Sequence, residues 1–275
     1  MIDPLPQTQQ GSGAAGFDRT ASISVIFPAF NEEANLRQTV EPACRSLSTL
    51  TDRWEIIIVN DGSRDGTRQI CDELAAANPG VHAIHHPGNR GYGAALKSGI
   101  EAARHSLIFF TDSDGQFDIG ELHSLVAWSD HYEIVAGYRA RRNDPPHRLL
   151  NAWGWKMLVR IALGIKIRDI DCAFKLFRRE VFHRVQIRSV GAMVNTEILA
   201  QATRFGMNIR EVPVSHFPRR HGNSTGANPG VIVKAFGELF RMWWKLRNIS
   251  LEQRGLYSEI GGTPTLAAHP HGKEP

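Results

Sequence analysis

The residues best suited to chemistry lie in one short stretch, TDSDGQFD, from Thr111 to Asp118. Asp112, Asp114 and Asp118, with Gly115 and Gln116 between them, follow directly on an apolar run, Leu107 to Thr111, that reads as a buried strand. Two readings are open. Asp and Gly end strands because they make turns. A group of oxygen donors is also what a hard divalent cation needs. Residue types alone do not choose between them.

Three further places carry chemical potential. Asn60-Asp61-Gly62-Ser63 is a turn sequence, yet the Asp61 carboxylate can accept a base N–H or ribose hydroxyls while Gly62 leaves room; Glu32 admits the same pair of readings. GNRGYGAALKSG, from Gly88 to Gly99, invites a dinucleotide-binding reading. Its order is G-x-x-G-x-G after a third strand, not G-x-G-x-x-G after a first, and no Walker sequence is present. These glycines allow close backbone approach to a phosphate or sugar, or tight packing of the following helix. Finally, Arg139, Arg141, Arg142, Arg148, Arg219 and Arg220 all follow the acidic stretch. They form either an anion-gripping set, for which guanidinium geometry is suited, or a solvated basic face.

The elements that must position these groups alternate regularly. Strands are expected at 22–27, 54–59, 81–85, 107–111 and 132–136, and helices at 31–50, 65–77, 91–104 and 118–129. Glu32 and Glu33 fall in the first turn of the first of these helices, where its dipole favours acids. Asp118 would cap the last. The alternation predicts an α/β fold with a mainly parallel central sheet covered on both faces. Ligands of such sheets bind beyond the carboxyl ends of the strands, and the polar and glycine-rich segments gather at that edge.

The 275 residues are 42% hydrophobic and 22% charged, ordinary for a globular chain. A net charge of +4 permits anionic partners, and no basic stripe points to nucleic acid. Cys44, Cys71 and Cys172 are odd in number and widely spaced, so they read as free thiols. Residues 1–20 and 251–275 read as disordered tails around a domain at 21–227. Neither a signal peptide nor a membrane-spanning run is expected. The segment PGVIVKAFGELFRMWWKLRN, within 228–250, reads as an amphipathic helix with Trp243 and Trp244. It suits a membrane interface or a place packed on the domain, and the 149–163 segment shares that ambiguity.

Five motifs in this order, VIFPAFNEE, IIIVNDGSRDGT, GNRGYGAALKSGIEAA, FFTDSDGQFD and DCAFKLFRRE, resemble the family 2 inverting glycosyltransferases. The likeness is greatest to their polyprenyl-phosphate branch, which includes dolichol-phosphate mannose synthases. It implies a single GT-A, Rossmann-like domain that moves one sugar, with inversion, from a GDP- or UDP-sugar such as GDP-mannose or UDP-glucose to a polyprenyl phosphate. Pro28, Ala29, Asn31, Glu32, Asp61, Gly91, Asp112 and Ser113 would bind the nucleotide. Asp112, Asp114 and Gln116 would hold Mg²⁺ or Mn²⁺. Arg139, Arg148 and Arg219 would grip the acceptor phosphate, and Asp112, Asp114 and Arg139 would form the catalytic set. The chain departs from the family at Asn60, where an acid is frequent, and at Ala173, where Gly is common. Relatives that transfer to hydroxyls keep a base near Glu197; here Glu197 is expected to cap its helix or touch the donor sugar. The implied location is cytoplasmic, peripheral on the inner face of the membrane, docked directly or through a small membrane-anchored partner. A hydroxyl acceptor, and a non-catalytic nucleotide-sugar-binding adaptor, are the competing readings.

Overall fold

The computed structural model describes residues 21–140, 154, 157–219 and 237–244. Among the described residues, seven strands form one mixed sheet in the order β3-β2-β1-β4-β6-β5-β7. They are β1 Ser22–Ala29, β2 Arg53–Asn60, β3 Val81–His85, β4 Leu107–Phe110, β5 Ile134–Arg139, β6 Lys175–Arg178 and β7 Ile209–Val214. β1 to β4 form the parallel half. β6 runs antiparallel between β4 and β5, and β7 lies parallel beside β5. The helices are α1 Leu36–Leu50, α2 Thr67–Ala77, α3 Tyr92–Ala102, α4 Leu122–Val126, α5 Val181–Arg184 and α6 Val194–Arg204.

The parallel strands are buried on both faces, which is why they read as unbroken apolar runs. Side chains nevertheless alternate between two core layers. Val25 and Phe27 of β1, Ile56 and Ile58 of β2, and Phe109 of β4 meet Leu36, Val40 and Leu47 of α1 in one layer. Ile26, Ile57, Val59, Ile108 and Phe110 meet Leu96 and Ile100 of α3 and Val194 and Ile198 of α6 in the other. The helical residues 157–163 and 237–244 contribute Val159, Leu163, Leu239 and Met242 to this second layer.

All five expected strands are present, with ends shifted by at most three residues. β6 and β7 are additions to that reading. KLFR and IREVPV are short and carry charges, and β7 tolerates Pro213 because it is an edge strand. α1 begins at Leu36, not at Asn31, and the reason is local. Asn31 takes φ +56, outside helical space. Its N–H donates to Ser63 Oγ (2.9 Å), and its Oδ1 accepts the Arg64 N–H (2.9 Å). Glu33 Oε2 accepts the N–H of Gly66, just ahead of α2. Of the acids expected to favour α1, Glu33 instead laces the loop after β1 to the loop after β2, and Glu32 turns its carboxylate to Asn35 and Arg219. Asp118 does cap: its Oδ1 accepts the Gly120 N–H (2.8 Å) in the 3₁₀ turn Ile119–Glu121 before α4.

Candidate active site

β1, β2 and β4 are parallel neighbours, so their carboxyl ends open on one edge of the sheet. A cavity of about 820 Å³ lies there. Pro28, Ala29, Asn31, Glu32, Asp61, Gly91, Asp112 and Ser113 all line it, together with Asp114 and Arg219. Asp171, Ala173 and Asn195, which sequence reasoning gave no role at this cavity, line the same space. The Asn195 Oδ1 is buried with no hydrogen-bond partner among the described residues.

The acidic loop is sutured in place. Ser113 Oγ donates to the Pro28 carbonyl (2.8 Å), and Thr39 Oγ1 donates to the Ser113 carbonyl (3.1 Å). Asp114 Oδ1 accepts the Gln116 N–H (3.1 Å), tightening the turn at Gly115, where φ is +73. Asp112 and Asp114 stand close enough to interact. Burial, then the Asp114 charge, push the Asp112 carboxyl up to about 6, although the Tyr92 hydroxyl, Arg219 and Lys175 pull it down. Burial likewise raises Glu32. Lys175, fully buried, donates to the carbonyls of Ile170 (3.0 Å) and Cys172, and burial lowers its pKa. The sequence marks it only as a charged residue in an otherwise apolar run.

Arg219 is drawn onto this acidic group. Its guanidinium lies 3.1 Å from Asp114 Oδ2 and 3.1 Å from Glu32 Oε1. The strap that carries it is pinned to the acidic loop: the Gln116 carbonyl accepts the Phe217 N–H (2.9 Å), and Gln116 Nε2 donates to the Phe217 carbonyl (3.0 Å). Gln116 itself does not line the cavity. Arg139, at the end of β5, also lies off it and pairs bidentately with Asp169 at 2.7 and 2.8 Å. Burial disfavours its charge, but the Asp169 hydrogen bonds and charge outweigh this and raise its pKa. Arg148, with Arg141, Arg142 and Arg220, falls outside the described residues.

Glu197 neither caps its helix nor lines the cavity. Its Oε2 accepts the N–H groups of Arg188 (2.9 Å) and Ser189 (2.7 Å). That anchors the loop whose Val190 carbonyl accepts the Gly93 N–H at 2.9 Å. A Cβ on Gly91, at φ +98, would lie 2.3 Å from that same carbonyl, so a glycine is required for this approach.

No group of three or more His, Cys, Asp or Glu among the described residues forms a self-contained metal cage. A hard cation that keeps substrate oxygens as ligands needs fewer. The residues fit such an ion. A half-buried carboxyl with a raised pKa stands beside a second, buried carboxylate, and that second one already draws a guanidinium.

A mixed sheet of this order, with paired acids at the carboxyl edge of its parallel half, defines a GT-A-type glycosyltransferase domain. Residues 24–186, more than half of the chain, match glycosyl transferase family 2, and the chain belongs to that family. It is 30% identical over 245 residues to the polyprenol monophosphomannose synthase of Mycolicibacterium smegmatis, covering 81% of this chain and 89% of that one. It is 32% identical over 211 residues to the dolichyl-phosphate beta-glucosyltransferase ALG5A of Trichomonas vaginalis, covering 70% and 64%. It is 30% identical to the glycosyltransferase AglD of Haloferax volcanii over 90% of this chain but only 40% of that longer one. The fold is shared with glucosyl-3-phosphoglycerate synthase from Mycobacterium tuberculosis in complex with UDP, at TM-score 0.63 and 20% identity over 82% of this chain and 80% of that one. The same synthase with Mn²⁺, UDP and phosphoglyceric acid gives 0.59 at 21% identity, over 86% and 79%.

No described helix is long and apolar enough to cross a membrane. In the helix at 237–244, Leu239 and Met242 face the core, while Phe240 and Trp244 are exposed. Met157, Leu158 and Ile161 are exposed in the same way on 157–163. The rest of the amphipathic segment, and both tails, lie outside the described residues.

Proposed function

We propose that this domain transfers one sugar, with inversion, from a nucleoside-diphosphate sugar to a polyprenyl phosphate. The observation that carries the reading is the Asp112–Asp114 pair, held rigidly in a cavity large enough for a nucleotide sugar. Relatives named for sugar transfer to polyprenyl and dolichyl phosphates support the acceptor class.

Asp112 and Asp114 would hold Mg²⁺ or Mn²⁺, with Gln116 on the same loop. When bound, such an ion neutralises charge that develops on the departing diphosphate. The chain's own groups do the rest. Pro28, Ala29, Asn31 and Glu32 form the wall against the nucleoside. Asn195 Oδ1, buried and unpartnered, accepts a hydroxyl of the donor sugar. Arg219 moves from Asp114 to the acceptor phosphate once the acids are otherwise neutralised, while Arg139, off the cavity and paired with Asp169, would reach a phosphate only by leaving that carboxylate. An acceptor phosphate is already ionised near neutral pH, so attack on the anomeric carbon needs no general base. Glu197, spent on the 188–189 backbone, agrees with that. The exposed residues Met157, Leu158, Ile161, Phe240 and Trp244 form the side that meets the membrane.

The test is the chemical nature of the product. Purified chain, Mn²⁺, a panel of labelled nucleotide sugars and a polyprenyl phosphate should yield label that extracts into organic solvent and is released by mild acid. Label passing only to a water-soluble glycan or glycoside would replace this acceptor by a hydroxyl. Undiminished donor across the panel would leave a binding protein.

A further inference from the structure

We infer that the end of the cavity walled by Asp171, Ala173, Ala192 and Asn195 takes the glycosyl group of the donor, and that it selects a neutral sugar presenting hydroxyls there against a uronate. The inference rests on the proposed nucleotide-sugar reading and narrows its donor.

Position comes first. β6 runs antiparallel beside β4, with Lys175 opposite Phe110. The chain that enters β6, at 171–173, therefore reaches the same edge as the acidic pair that follows β4. The loops after β1 and β2 reach that edge on the other side of β4. Neighbouring strands lie about 4.8 Å apart, a spacing comparable with the width of one sugar ring. A donor with its nucleoside against Pro28 to Glu32 and its diphosphate at Asp112 and Asp114 carries its sugar toward 171–173. Ala192 and Asn195, from the entry and first turn of α6, line the same space.

Hydrogen-bonding capacity comes second. Asn195 is 5% exposed, and its Oδ1 has no partner among the described residues. Other acceptors of the cavity are engaged. Glu32 takes Asn35 and Arg219, and Asp61 takes His86 and the N–H groups of Arg90 and Gly91. A buried acceptor with no donor is costly, and a sugar hydroxyl removes that cost on binding. Asp171 brings a carboxylate, which only accepts, to the exposed part of the same wall.

Charge comes third. Lys175 donates to the Ile170 and Cys172 carbonyls, which braces the turn that carries Asp171. Arg139 grips Asp169. Neither cation lines the cavity. Arg219, the cation among the described lining residues, sits on Asp114 and Glu32. Sugar hydroxyls can donate to both Asn195 and Asp171. A uronate carboxylate offers them only oxygens, and its charge meets that of Asp171. Ala173 and Ala192 leave room for a ring between the two polar groups.

The experiment is a calorimetric titration of the full chain, in Mn²⁺, with UDP-glucose, UDP-glucuronate and UDP, and with GDP-mannose, GDP-mannuronate and GDP. For whichever base binds, the neutral sugar nucleotide should bind at least about tenfold tighter than its uronate. Equal or tighter binding of the uronate overturns the sugar inference and leaves the nucleotide reading standing; failure of every compound to bind overturns the two together. Asp171→Asn, which keeps the size and removes the charge, should bring that ratio toward unity. Asn195→Ala should narrow the difference in affinity between the neutral sugar nucleotide and its free diphosphate. An unchanged ratio in folded Asp171→Asn would remove Asp171 from the assignment, and an unchanged difference in folded Asn195→Ala would remove Asn195. The wild-type comparison decides the sugar class whether or not either variant folds.

Discussion

Asp112 bears the electrostatic cost of the site. Burial and the neighbouring Asp114 charge hold its carboxyl at about 6, above the ordinary 3.8. That corresponds to roughly 3 kcal/mol at neutral pH. The sign follows from the direction. A carboxyl raised by folding favours the folded state while protonated, and that contribution is lost as pH rises from about 4 through about 6. Asp112→Asn should therefore raise the melting temperature of the metal-free protein at pH 7 by several degrees. It should also abolish the further stabilisation given by Mn²⁺ to the wild type, and scanning calorimetry reads both. An Asp112→Asn protein that is less stable, or still stabilised by Mn²⁺, would show that this carboxylate neither stores the cost nor serves the ion. The same raised carboxyl makes Mn²⁺ compete with a proton. Affinity should fall close to tenfold per pH unit below about 6 and level off above 7. Titrations between pH 5 and 8 check this, and a flat profile would contradict it.

At the scale of elements, the site depends on how closely α3 lies on β1 and β2. A Cβ on Gly99 would fall 2.4 Å from Ile26 Cγ2 and 3.3 Å from Val59 Cγ2. Gly99→Ala should destabilise the fold by about 1–3 kcal/mol through overpacking, despite the helix propensity it gains. It should also weaken nucleotide binding, since Gly91 and Tyr92 at the start of α3 line the cavity. Urea unfolding and calorimetry measure the two effects, and unchanged values for both would show that the contact relaxes freely. The parallel half was legible in the sequence because strands buried on both faces leave continuous apolar runs. The eight residues now seen around one cavity came from the family resemblance, and the parallel strands explain only why the loops that carry them share one edge. β6 and β7 were not legible, since KLFR and IREVPV look like charged loop sequence until their partners are known. The contacts of Asp61 with His86, Arg139 with Asp169 and Glu197 with the 188–189 backbone were hidden for a related reason. They depend on which loops meet, and no period or spacing records that.

For the molecule as a whole, the proposed lipid acceptor raises the question of how a chain with no described spanning helix would reach a membrane. On the proposed reading the helix at 237–244 would answer part of it, since it turns Leu239 and Met242 inward and Phe240 and Trp244 outward. An aromatic pair on a chain of net charge +4 suits an anionic surface. Phe240→Ser with Trp244→Ser should cut co-sedimentation with anionic vesicles at least about fivefold while leaving nucleotide affinity in solution unchanged. Equal sedimentation of the double variant would move the docking surface elsewhere.

In the proposed reaction, Asp112 and Asp114 would hold a divalent ion that lets the diphosphate leave. The most direct measurement is the initial rate of sugar transfer to polyprenyl phosphate by wild type and Asp114→Asn, each with Mn²⁺ and with a chelator. Transfer that requires the ion, inverts the anomeric centre and falls at least about a hundredfold in Asp114→Asn is the predicted result. Wild-type rates in the chelator, or in Asp114→Asn with its fold intact, would contradict it.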